Sequence, residues 1–166
     1  VPELNRIVAF MSDADLADIL RPLTRRFSLH IESTLPAALR AIVALRPALV
    51  IADATCDPAA AGRFIQGLRS FPLSANVRIL TLVRERAARP DLQRLRIGAD
   101  AALCVPFTPD QLLRTVDCLM EAHTADERAN CSEISESGCL SMRAGARLAP
   151  GADREDPEMR QRTESA

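Results

Sequence analysis

The stretch Ala48-Leu49-Val50-Ile51-Ala52-Asp53 decides the fold. Its five consecutive apolar residues suit a strand buried on both faces, as in a parallel sheet covered by helices. A carboxylate directly after such a strand is placed at the floor of a pocket, because in sheets of this kind ligands gather outside the carboxyl ends of the strands. The alternative for Asp53 is a loop or helix-capping aspartate.

Outward from this strand, apolar runs alternate with helical patterns. Arg6 to Met11 reads as a first buried strand, and Ser12 and Asp13 offer N-caps to a helix carrying Leu16, Ile19, Leu20 and Leu23. Carboxylates such as Asp13 and Asp15 in a first helical turn are also what the helix dipole alone favours. Ser28 to Glu32 alternates as a second strand. Thr34 can cap a second helix with Leu35, Leu39, Ile42 and Leu45 on one face, which Pro47 ends. Beyond Asp53, Phe64, Ile65 and Leu68 mark a third helix, Val77 to Val83 a fourth strand, and Leu92, Leu95 and Ile97 a fourth helix stopped by Gly98. Ala101 to Val105 makes a fifth strand. Thr108 caps a last helix with Pro109 at its first position and Leu112, Leu113, Val116, Leu119 and Met120 as its buried stripe. Five strands alternating with five helices predict an α/β, flavodoxin-like (βα)5 three-layer sandwich with a parallel sheet of order 2-1-3-4-5.

Composition sets the outer bounds. The chain has 166 residues, 48% apolar and 26% charged, an ordinary globular balance. No run approaches the length of a membrane span, and the N-terminus lacks the pattern of a secretory signal, so a cytoplasmic location is expected. Residue 1 is Val rather than Met, so a processed or truncated piece of something longer is expected. All 21 basic residues are Arg, which excludes a Schiff-base or P-loop lysine; Trp and Tyr are also absent. The five cysteines, Cys56, Cys104, Cys118, Cys131 and Cys139, form no Cys-x-x-Cys pair and read as unpaired thiols in a reducing compartment. With only His30 and His123 present, zinc is not expected. Residues 1–120 carry 15 Arg against 12 acids, a net of +3, whereas residues 121–166 carry 6 against 10, a net of −4, with few large apolar residues. Residues 1–121 are therefore read as one folded domain and 122–166 as a disordered tail or linker.

At the strand ends the residues resemble a family, the receiver domains of bacterial two-component response regulators. Arg46 to Asp53 is similar to the strand before the family's phosphoacceptor aspartate. Ile97-Gly98-Ala99-Asp100-Ala101 resembles its Gly-Ala-Asp turn, and Val105-Pro106-Phe107 resembles its Lys-Pro-Phe segment with the lysine replaced. The resemblance implies a response regulator in phosphorelay signal transduction, with Asp53 the candidate phosphoacceptor of a phosphoprotein, Mg²⁺ beside it, and a cis bond at Val105-Pro106. It also shows what is lost. The family's acid pair falls on Met11 and Ser12, with Asp13 one residue later. Its Ser or Thr falls on Val83, the small residue after it on Arg84, its lysine on Val105, and its switch aromatic on Ala102. An atypical receiver is therefore expected, with at most a weak Mg²⁺ site built from Asp13, Asp53, a backbone carbonyl near Thr55 and Asp57. Arg84 is expected either to reach Asp53, pairing with it or cradling an anion there, or to point to solvent.

Three function classes follow. The first is a receiver-like signalling domain addressed by a histidine kinase or phosphotransfer protein, presenting the fourth helix, fifth strand and last helix to a protein partner or a second copy. Its phosphorylation-independent form is a docking or dimerisation module. The second is nucleic-acid binding through Arg84, Arg86, Arg89, Arg94 and Arg96; Glu85, Asp91 and Asp100 interleave and no aromatic residue accompanies them, which favours a solvated helix face. The third is a stand-alone enzyme. It is not expected, because Gly62, Gly67 and Gly98 form no dinucleotide-binding turn and no Ser, His and acid fall together at strand ends. Cys56, in the loop after Asp53, reads as an exposed cysteine rather than a nucleophile.

Overall fold

The computed structural model describes residues 6–84 and 98–121. The expected fourth helix and the expected tail lie outside the described residues. The strands are β1 (Arg6–Phe10), β2 (Ser28–Glu32), β3 (Leu49–Asp53), β4 (Arg78–Arg84) and β5 (Ala101–Val105). They form one parallel sheet of order β2-β1-β3-β4-β5, as expected. The helices are α1 (Ala14–Asp18), α2 (Leu35–Leu45), α3 (Pro58–Ser70) and α4 (Pro109–Glu121), with a 3-10 turn at Arg21–Arg25.

The period-two geometry of the strands divides the core into two layers. Ile7, Ala9, Leu49, Ile51, Leu80, Leu82, Ala101 and Leu103 point to the side covered by the α1 region and α4, where Leu20, Leu23, Leu112, Val116 and Leu119 meet them. Val8, Val50, Ala52, Ile79 and Val83 point to the other side, against Ala38 and Ile42 of α2 and Phe64, Ile65 and Leu68 of α3. Every residue of β3 is buried, because it is the central strand of the sheet and is covered from both sides. Phe10 and Phe64 pack at 5.1 Å between ring centroids, tilted by 55°, an aromatic pair that contributes about 1 kcal/mol beyond area burial.

Two local expectations are corrected. The first helix does not run through Leu23. Pro22 has no amide hydrogen to give the carbonyl one turn back, so α1 ends at Asp18 and the chain continues as a 3-10 turn with Pro22 in its first positions. The Leu16, Ile19, Leu20 and Leu23 spacing still serves, since all four pack on the same layer. Thr34 occupies the N-cap position of α2 without a side-chain cap bond, and Leu35 is exposed. At α4 the expected cap is made in reciprocal form. Thr108 Oγ1 accepts from the Gln111 amide at 3.2 Å while Gln111 Oε1 accepts from the Thr108 amide at 2.8 Å, which satisfies two otherwise orphaned donors.

The cysteines are also corrected in part. Cys104 and Cys118 are each disulfide-bonded and Cys56 is free. The lack of a Cys-x-x-Cys spacing excludes only local pairing, since folding joins cysteines distant in sequence. No helix among the described residues is long and apolar enough to cross a membrane.

Candidate functional site

The end of β3 carries the site. Asp53 is its last residue and is only 3% exposed. Its Oδ1 accepts two hydrogen bonds from Thr55, one from the backbone amide at 2.8 Å and one from the hydroxyl at 2.6 Å. Asp53 and Thr55 thus form a turn in which one residue supplies both donors, fixing the carboxylate and satisfying half of it. The other oxygen, Oδ2, is buried and has no hydrogen-bond partner. Buried polar atoms are nearly always paired, so an unmet carboxylate oxygen at the carboxyl edge of a parallel sheet marks a place for function.

The register shows what surrounds it. Asp53 is aligned with Leu82 on β4, and the β1–β3 register pairs Phe10 with Ala52, which sets Met11 beside Asp53 one step on. Met11 and Leu82 are both buried in the core. Val83 is fully buried in the opposite layer. The only β4 hydroxyl, on Thr81, lies two residues earlier and donates to the Ala101 carbonyl at 3.2 Å, so it belongs to the sheet and not to the site.

The remaining candidates are placed as follows. Thr55 is brought to Asp53, though as a donor to the carboxylate. Asp13 lies half-buried immediately before α1. Asp57 is used as the N-cap of α3, its Oδ1 accepting from the Ala60 amide at 2.9 Å. Arg84 is exposed, and among the described residues no hydrogen bond or ion pair joins it to Asp53, whose Oδ2 stays unmet. The pairing expected of Arg84 is therefore not formed. Arg84 is two residues beyond Leu82, the residue level with Asp53, and so starts about 6–7 Å farther along the strand. Val105, aligned with Arg84, is half-buried. The Val105-Pro106 peptide bond is cis. Cys56 is exposed, with its sulfur 3.7 Å from the Thr55 hydroxyl.

These residues do not fit Mg²⁺. The ion takes near-octahedral oxygen ligands and gives up water reluctantly, whereas a thioether such as Met11 is a soft ligand it does not use. Among the described residues no three His, Cys, Asp or Glu side chains come together as a metal site. Of the Asp53 carboxylate, one oxygen is already bonded by Thr55, and Asp57 is engaged as the cap of α3.

A second polar constellation was not visible in the sequence. Arg69, near the end of α3, donates from Nε to the Gly98 carbonyl at 2.8 Å and from its terminal nitrogens to the carbonyls of Ala75 and Val77 and to Asp100 Oδ2. Asp100 also accepts from the Ile79 amide at 2.7 Å. The Gly-Ala-Asp turn is thereby tied to the start of β4. The sequence places Gly98 and Asp100 correctly, but nothing in the spacing of Arg69 separates it from the other arginines.

No family model and no curated protein matches the chain. Solved structures do. A response regulator from Desulfuromonas acetoxidans is 18% identical, with a TM-score of 0.62 over 72% of this chain and 98% of that one. A chemotaxis response regulator from Vibrio cholerae is 19% identical, with a TM-score of 0.60 over 69% and 97%. A signal receiver domain from Bermanella marisrubri is 25% identical, with a TM-score of 0.59 over 70% and 98%. The chain has the receiver-domain fold of response regulators.

Proposed function

We propose that the chain is a receiver-like domain of two-component signal transduction that acts by protein docking, with Asp53 kept as its candidate phosphoacceptor and the machinery around it lost. The observation that carries this reading is the Asp53 carboxylate, held by Thr55 at the end of the central strand with Oδ2 unmet. It supports a site inherited from phosphoryl chemistry. The buried Met11 and Val83, the half-buried Val105 and the exposed Arg84 support its atypical use. Phosphoryl transfer is catalysed almost wholly by positioning and by neutralising oxygen charge, and among the described residues no arginine pairs with the Asp53 carboxylate to do so.

The domain is read as a non-enzymatic platform. The docking face is the one containing β5, an edge of the described sheet, and α4, whose Arg114 faces solvent. The partner is a second copy, another signalling protein, a histidine kinase or a phosphotransfer protein. Such partners imply a cytoplasmic site of action.

Intact-mass spectrometry after incubation with acetyl phosphate and Mg²⁺ tests this reading, with an ordinary receiver labelled in the same buffer. The expected result is no phosphoryl adduct. An adduct on the parent that is missing from Asp53→Ala would make the chain a working receiver.

A further inference from the structure

We infer that Met11 is the residue that closes Asp53 to divalent cations, so that one substitution at this position turns the site into a metal-dependent one. The inference deepens the proposed reading and rests on Asp53 being the inherited site.

β1 and β3 are adjacent and parallel, aligned from Ile7 with Leu49 to Phe10 with Ala52. One step on, Met11 stands level with Asp53, and its amide is still held by the Glu32 carbonyl at 3.0 Å. Counting in twos from Ile7 and Leu49, Met11 and Asp53 also project to the same side of the sheet, the layer shared with Leu20, Leu82 and Leu112. On the other flank Asp53 is level with Leu82. The carboxylate is thus bracketed within the sheet by two fully buried apolar side chains. Met11 is 2% exposed and Leu82 is 0% exposed, and the oxygen that Thr55 leaves unmet is sealed from water.

This arrangement excludes a hydrated cation in two ways. At the strand position level with Asp53 stands a buried thioether in place of an oxygen ligand, and a packed core leaves no room for the waters that Mg²⁺ retains. An acid at position 11 changes both conditions. Two carboxylates on adjacent strands, about 5 Å apart at the backbone, repel each other unless a cation lies between them. Met11→Asp should therefore lose stability in the absence of metal and regain it with Mg²⁺.

The test is thermal unfolding of the full chain followed by circular dichroism, with and without about 10 mM MgCl₂ against a chelator, at matched ionic strength. The parent is expected to melt at the same temperature in both. Met11→Asp is expected to melt lower with chelator and to rise by several degrees with Mg²⁺. Met11→Asn, which brings a polar group without charge, should be destabilised without that rise, and Asp53→Asn on the Met11→Asp background should abolish it. A Mg²⁺-dependent rise in the parent that Asp53→Asn removes would overturn the inference. So would a Met11→Asp chain that gains nothing from Mg²⁺, whether it stays folded or fails to fold. Phosphorylation is read separately by mass. An adduct on a parent that ignores Mg²⁺ would sink the proposed function and leave this inference standing.

Discussion

At the residue scale, the proposed function treats Asp53 as a charge placed for use rather than for stability. One of its oxygens is satisfied by two bonds from Thr55 and the other is buried without a partner, and burying a carboxylate incompletely costs free energy. Asp53→Asn keeps an acceptor for Thr55 and removes the charge. It should stabilise the domain by about 1 kcal/mol, read as a higher denaturation midpoint. Thr55→Ala removes the hydroxyl at 2.6 Å and leaves the carboxylate less satisfied. It should destabilise by about 1–3 kcal/mol, and an unchanged midpoint would show that the hydroxyl contributes nothing. Much of this site was legible before the structure, because a lone carboxylate after five apolar residues has few other meanings in a parallel sheet. The part not legible was orientation. Asp57 looked like a further oxygen ligand and is a helix cap, while Arg84 has the right chemistry but is exposed and leaves Asp53 Oδ2 unmet.

At the scale of elements, the Gly-Ala-Asp turn depends on a clamp. Gly98 has φ of +144°, and a Cβ there would meet Ile65 Cγ2 at 2.9 Å. Gly98→Ala should cost about 2 kcal/mol, from backbone strain together with the clash. The Arg69–Asp100 pair is mostly buried, with side-chain exposures of 22% and 13%, and Arg69 also serves three carbonyls. Arg69→Ala leaves these acceptors and a half-paired carboxylate behind, and should cost about 2–4 kcal/mol in chemical denaturation. Arg69→Lys should recover less than half of that loss, because an ammonium lacks the planar fork that spans four acceptors. Five strands were readable from apolar runs, and α4 from its stripe and its capping pair Thr108 and Gln111. The clamp was not, since it joins residues about thirty positions apart and no local period reports such a contact. The shortened α1 was readable in principle, because Pro22 breaks an otherwise good helical spacing.

At the scale of the molecule, the fold is that of a receiver domain, and the proposed reading takes its switch parts as replaced by packing. Val83 and Ala102 are buried in the layer beneath α2 and α3, where a hydroxyl and an aromatic ring would be expected to move between two positions. A packed apolar core has one arrangement rather than two, so the face made by β5 and α4 should be fixed. Beryllofluoride with Mg²⁺, an analogue of a phosphoryl group on a carboxylate, tests that claim most directly when backbone amides are followed by nuclear magnetic resonance. The account predicts spectra that superimpose with and without it, at Ala54 and Thr55 and throughout β5 and α4. Shifts at Thr55 that spread to β5 and α4, and that vanish in Asp53→Ala, would show a working phosphorylation switch and contradict it.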